Sequence, residues 1–392
     1  MSAYLPEPGA PLRHFVSDAP FDPLSVEAMT ADQARVYQAS QLRLMWWKFK
    51  RHRLALWSGI FLALLYATIL ISEFVAPYNL HTRNVEFIHT PPQRVHLFDD
   101  EKGFVGPFVY GRTMTLDMDT LKRVYTDNPA DIQPLRFFCS GDAYEFWGLV
   151  PATLHFVCPA QGGQFFLLGT DRLGRDVLSR IIYGARISLT IGLIGVAFSF
   201  VLGIVIGGLA GYHGGVFDMV VQRIIEVLQS LPSIPLWMAL AAIMPVTWSP
   251  ILIYFGITLI LGLLDWTGLA RAVRSKLLSL REEDYVLAAQ LMGARSSRII
   301  GRHLIPGFMS HLIATATIAI PGMILGETAL SFLGLGLRPP ITSWGILLTE
   351  ARSVSVIAFY PWLLFPMIPV ILVILAFNFL GDGLRDAADP YR

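Results

Sequence analysis

Residues 284–306 read DYVLAAQLMGARSSRIIGRHLIP. The front half is a good helix former with acids at its start and no breaker before Gly293. Asp284 or a neighbour can cap its start, and Gly293 permits the left-handed turn that ends a helix. Arg295, Ser296, Ser297 and Arg298 make a polar corner. A second helical piece over 299–305 follows and is stopped by Pro306. This segment lies between two long apolar runs, 251–269 and 308–335. Its shape therefore belongs to the surface of a membrane protein, and the rest of the chain bears on which surface.

The chain has 392 residues, 54% of them hydrophobic and 15% charged. Its mean hydropathy is +0.54. Soluble domains carry roughly 25% charged residues, so this chain lacks a solvated surface. Its net charge of +1 points to no nucleic acid or large acidic partner. A spanning helix needs about 20 mostly apolar residues, and six segments qualify: 54–75, 187–211, 219–245, 251–269, 308–335 and 357–380. The runs are continuous rather than alternating, which disfavours spanning strands. The expected fold is an all-α polytopic membrane protein with six transmembrane helices. The first apolar run begins at Leu54, too late for a cleaved signal peptide.

Basic residues set the orientation. WWKFKRHR at 46–53 abuts the first span and places the N-terminus in the cytoplasm. Six crossings then put 271–307 inside, with Arg271, Arg274, Lys276, Arg281, Arg295, Arg298 and Arg302, and both termini inside as well. The expected organisation is a cytoplasmic tail over 1–45 ending in an amphipathic helix at the lipid surface. The first span follows at 46–76, then a periplasmic cap over 77–186, a five-helix core over 187–380 and a cytoplasmic tail over 381–392. Both cysteines, Cys139 and Cys158, fall in the cap. On the oxidising side they read as one disulfide rather than two buried thiols.

Catalytic signatures are missing from the sequence. There is no GxxxxGK[ST], no HExxH, no Cys/His cluster with zinc spacing and no GxSxG. Neither a catalytic nor a metal site is expected. Acids within spans mark pathways or interhelical hydrogen bonds. Glu226 shares a helix face with Arg223, Asp265 has Arg271 or Arg274 within reach, and Glu327 is deep in MILGETALSFLGLG. These three acids are the pathway candidates. Gly203, Gly207 and Gly211 at four-residue spacing permit close helix contact, within the chain or at a subunit seam. In the opening segment, Ala288 and Ala289 offer a flat surface for close approach. On spacing alone, a docking knob and an idle loop are equally compatible.

The segment resembles the cytoplasmic signature of ABC importer permeases: Glu-Ala-Ala, three residues, Gly, nine residues, then Ile-x-Leu-Pro. Ala288, Ala289, Gly293 and Pro306 match it, while Leu287, His303 and Ile305 depart from it. LGTDRLGRDVLSRIIYGARISL at 168–189, GYHGGVFDMVVQRIIEVLQSLPSIPL at 211–236, GETALSFLGLGLRPPITSWG at 326–345 and FNFLGDGLRDAADP at 377–390 are similar to the oligopeptide/dipeptide branch. The long outer loop and extended N-terminus look most like microcin C-type peptide importers. The resemblance implies the second permease subunit of a binding-protein-dependent importer of the bacterial inner membrane. Its cargo would be peptides, with nickel or oligosaccharide as alternatives in relatives. It further implies a partner permease, two ATPase subunits that hold ATP and magnesium, and a periplasmic substrate-binding protein. Asp284, Tyr285, Ala288, Ala289, Gly293, Ala294, Arg295 and Pro306 would couple to the ATPase, and this chain would bind no cofactor. A secondary transporter without ATPase would need paired intramembrane charges and inverted repeats, and neither stands out.

Overall fold

The computed structural model describes residues 39–118, 123–245 and 247–388. The expected tail helix falls mostly on residues 1–38, outside the described residues. What is described is α1, Gln41–Arg51, directly before the first span. Lys50 stacks over Trp46 and Arg43 over Trp47.

Among the described residues, five unbroken helical stretches are long and apolar enough to span a membrane, and one bent pair passes the same test when its two helices are taken together. The unbroken stretches are α2 (Arg53–Leu70), α4 (Val177–His213), α7 (Pro250–Leu280), α9 (Ser296–Phe332) and the terminal Pro361–Ala388. The last of these holds α12, Met367–Ala388. The bent pair is α5 (Gly215–Ser230) with α6 (Ser233–Ile243), turned by 92°. The sequence reading had one continuous helix over 219–245. Pro232 corrects it: proline lacks the N–H of a helical bond and drives the residue before it out of the helical region, and Leu231 is extended at φ −89°, ψ 137°.

Several helices run past the expected limits. The second span begins at Val177, not 187, so the cap ends before the helix rather than at 186. Its start is capped by Asp176, whose carboxylate accepts the Ser179 N–H at 2.7 Å. At 37 residues α4 is about 56 Å long at 1.5 Å per residue, well beyond the roughly 30 Å hydrocarbon layer. The sixth span starts at Pro361 rather than 357, because Tyr360 before the proline breaks the chain from the short α11, Val354–Phe359. Chain direction alternates through the spans. Among the described residues, one face, here the cap face, gathers 71–118, 123–176, 244–245, 247–249 and 333–366. The opposite, basal face gathers 214, 281–295 and the ends of α1 and α12.

The glycine stripe of α4 packs inside the chain. A Cβ on Gly203 would lie 2.9 Å from Leu269, and on Gly207 or Gly211 it would meet the α7 backbone at Ala270 or Arg274. Small residues let these two helices approach to backbone contact. The main apolar core joins α2, α4, α6, α7, α9 and α12 through Leu62, Leu189, Ile257, Leu261, Ile324 and Val373.

The cap is built of strands. β1 (His96–Asp99), β2 (Gly103–Leu116) and β3 (Arg123–Pro134) form an antiparallel sheet. β4 (Arg136–Phe146) and β5 (Val150–Cys158) form a hairpin, with Phe146 opposite Val150. A disulfide joins Cys139 to Cys158 across it. The hairpin is docked on the cap-face end of the first span, the short α3 (Ser72–Val75) and the residues after it. His155 bridges the carbonyl oxygens of Ala76 and Asp142, at 2.6 and 2.8 Å. Asp142 accepts from the Thr82 hydroxyl at 2.6 Å.

Candidate functional site: the basal loop and the buried polar nodes

The loop that opened the sequence reading forms α8, Asp284–Leu291. Glu283 is its N-cap, holding the Val286 and Leu287 N–H groups through its backbone carbonyl, with no side-chain cap bond. The end is a reversed turn. Gly293 sits at φ +79°, its N–H reaching Gln290 O, while the Ala294 N–H reaches Ala289 O at 3.0 Å. A side chain at that φ is disfavoured, which explains the glycine.

Burial divides the helix into two faces. Val286 and Ala289 are buried in a basal cluster with Val273, Leu277, Ile299 and Leu304. Ala289 therefore seats α8 on its own chain, which corrects the reading of both alanines as an outer surface; Ala288 alone is exposed. The outward face carries Asp284, Tyr285, Leu287 and Ala288, and it ends in Leu291 at 89% and Met292 at 81% exposure. Such exposure of two large apolar residues at a helix end suits contact with another surface.

Arg295 is exposed and caps the next helix from an extended backbone. Pro306 does not stop that helix, contrary to the reading of its sequence. α9 continues from Ser296 through a wide π turn at Ile299–Leu304 and a 3-10 turn at Ile305–Phe308 into the span. The missing proline N–H changes the hydrogen-bond pattern without breaking the rod.

The three acids go to different places. Glu226 is exposed and pairs with Arg223 at 2.8 Å. Asp265 is exposed on the surface of α7. Of the two arginines offered as its partner, Arg271 and Arg274, the second instead gives two hydrogen bonds to Asp218 of α5 and ties the bent pair to α7. Glu327 is fully buried. It accepts hydrogen bonds from Ser331 and Ser343, each at 2.7 Å, and from Ser188 at 3.2 Å. Each serine oxygen in turn accepts a backbone N–H: Leu337 on Ser331, Ile346 on Ser343 and Trp344 on Ser188. One carboxylate thus holds the chain that turns back after α9, including α10 (Trp344–Thr349), against α4. This acid is a packing node within the chain.

Two further nodes on the cap face escaped the sequence reading. Asp171 accepts from the N–H groups of Leu173 and Arg175 and from the side chains of Arg175 and Arg180. Glu350 completes the cluster at 3.5 Å from Arg175 and 3.4 Å from Arg180. The only sequence signal was the charge density of TDRLGRD against an apolar run. Beside it, burial pushes the Asp176 carboxyl up to about 6 against the hydrogen bonds of Ser179. The second node is Glu73, which accepts two hydrogen bonds from Arg186 at 2.7 and 2.6 Å. Burial pushes the Glu73 carboxyl up, but the Arg186 guanidinium and backbone donors outweigh it and hold it below the usual range. Among the described residues, no group of three or more His, Cys, Asp or Glu side chains is arranged to hold a metal ion.

This architecture has relatives. Residues 203–391 match the family described as binding-protein-dependent transport system inner membrane component. Residues 40–92 match the N-terminal TM domain of oligopeptide transport permease C. The dipeptide transport system permease protein DppC of Bacillus subtilis is 40% identical over 222 residues, 57% of this chain and 68% of that protein. The oligopeptide transport system permease protein OppC of Haemophilus influenzae is 39% identical over 245 residues, 62% of this chain and 74% of that protein. A solved structure of the MetNI methionine ABC transporter, in inward-facing conformations, aligns with a TM-score of 0.43 at 19% identity, covering 54% of this chain and 97% of that chain. With its apolar spans, its basal helix and a matched length of more than two thirds of these relatives, the chain belongs to the inner-membrane permeases of binding-protein-dependent ABC importers, in the oligopeptide/dipeptide group.

Proposed function

We propose that this chain is the second permease subunit of an importer that carries peptides or peptide-like compounds into the cytoplasm. ATP and magnesium are held by two separate ATPase subunits, and this chain performs no chemistry itself. A second permease completes the passage, and a periplasmic substrate-binding protein delivers cargo to the cap face. The basal face is cytoplasmic, with both termini. Residues 282–294 are the coupling element, seated in a groove of an ATPase.

The observation that carries this reading is the two-faced α8. Val286 and Ala289 bolt it to the ends of α7 and α9, while Tyr285, Leu287, Leu291 and Met292 stand out from the basal face. A rigid apolar projection of this kind can transmit a push into the two long helices that flank it. Relatives that are named as dipeptide and oligopeptide permeases support the cargo class.

ATP-driven peptide uptake by the assembled complex in proteoliposomes tests the reading. Gly293→Asp places a charged side chain at φ +79°, where a Cβ costs roughly 1–2 kcal/mol. Met292→Asp puts a charge on the apolar tip and leaves the backbone alone. Both variants should insert normally and lose uptake. Normal uptake by a stably inserted Met292→Asp complex would refute the coupling role.

A further inference from the structure

The β4–β5 hairpin carries apolar surface that the fold leaves uncovered. Its turn reads FWGLV at 146–150. Leu149 is 83% exposed, and Val150, Leu154, Phe137, Phe138 and Phe156 are exposed as well. Phe138 and Phe156 lie 5.3 Å apart and sit 6.1 and 6.2 Å from Phe74, so these rings form one patch with the end of the first span. Contiguous apolar surface of this kind marks an interaction site.

The height of the turn is set by Trp147. Its indole N–H donates to the carbonyl oxygen of Leu70 at 3.0 Å, and its backbone N–H donates to Glu73 at 3.3 Å. The Arg186 guanidinium lies over its ring at 4.2 Å. These three contacts hold a bulky residue at φ +54°, a conformation such side chains avoid. Leu70 ends α2, whose 18 residues rise about 27 Å, close to the roughly 30 Å hydrocarbon thickness. Trp147 therefore stands at the outer edge of that layer, the level where tryptophans concentrate in membrane proteins.

The neighbouring surface names the occupant. Only 22% of the α2 window is buried, against 33–44% for the other unbroken spans, so α2 is peripheral, and Leu64 and Leu70 on it and Ile71 just past its end are open to lipid. The hairpin patch continues that surface. No charged residue lies between Phe146 and Pro151, and the charges beneath the turn, Glu73 and Arg186, neutralise each other.

We propose that the hairpin turn is a lipid anchor, with Trp147, Leu149 and Val150 seated in the headgroup–acyl boundary of the leaflet on the cap face. The disulfide and the His155 bridge make the hairpin stiff, so the anchor fixes the height of the whole cap above the bilayer.

Both native cysteines of this chain are consumed by the disulfide, so Leu149→Cys offers its one free thiol for an environment-sensitive fluorophore, with the complex of the unsubstituted chain labelled in parallel as background. The assembled complex, reconstituted in phosphatidylcholine vesicles, is exposed in turn to a lipid with a nitroxide at carbon 5 and to aqueous iodide. The anchor predicts severalfold stronger quenching by the nitroxide lipid than by an equally effective dose of iodide. Val150→Cys is the second position, should the first label disturb folding. Quenching by iodide alone at both positions overturns the proposal. Shielding from both quenchers overturns it too, since a protein surface would then cover the turn.

Discussion

Replacing Glu327 with leucine removes the shared acceptor of three buried hydroxyls while roughly keeping side-chain volume. Ser188, Ser331 and Ser343 each lose a hydrogen bond to the carboxylate. A buried polar group left without its partner costs about 1–3 kcal/mol. Hydroxyls can rotate towards other acceptors, so the low end applies to each, and about 3 kcal/mol is expected in total. Glu327→Gln keeps an oxygen for Ser331 and Ser343 and offers an amide to the Ser188 oxygen, so about 1 kcal/mol is expected, from the lost charge assistance. Thermal unfolding of the purified chain in detergent should therefore rank wild type, Gln and Leu in falling order, with a wide gap before Leu. A double-mutant cycle with Ser331→Ala should show coupling of about 1 kcal/mol, because both changes break one network. A Glu327→Leu protein that melts with Glu327→Gln would refute the node.

Two other perturbations separate the packing claims. Gly207→Ala drives a Cβ into the Ala270 backbone and should destabilise the chain by about 1–3 kcal/mol. Gly268→Ala, on a face of α7 with nothing within 4 Å of the added atom, should be neutral or slightly stabilising in the same melting assay. The Glu73–Arg186 contact carries a pH signature: its folded carboxyl lies below the ordinary value, so its contribution is complete above about pH 4.3. It is lost as pH falls through the depressed folded value. The amide protection factors of residues 140–152, corrected for intrinsic exchange at each pH, should hold constant down to that region and then fall, and Glu73→Gln should flatten the response.

Much of the plan could be read along the chain. A span is a local property: about 20 apolar residues in a row demand internally satisfied backbone. Six such runs were visible and the structure has five unbroken spans and a bent pair. Gly293 was legible for the same reason, since a left-handed turn is decided by one residue's backbone. Helix ends were read less well. The apolar signal reports the lipid-buried part, whereas caps such as Asp176 and breakers such as Pro361 decide where the rod stops. Pro232 was in plain view, but hydropathy continued across it and hid the bend.

Sequence by itself thus determined that this chain lives in a bilayer, where its spans fall and that a shaped helix separates α7 from α9. Tertiary structure alone decided who meets whom. The glycine stripe of α4 has a use only when α7 lies against it, and Ala289 turns inward only because Val286 and Leu304 are there to receive it. Glu327 becomes a packing node only once Ser188, from a helix 139 positions away, and Ser343 reach it. The strands of the cap leave no run of lipid length, and their apolar hairpin gains meaning from the end of α2 beside it. Periodicity and hydropathy report each segment's preference for its solvent; the pairing of segments is a long-range choice, made by burial and hydrogen bonding among residues far apart in the chain.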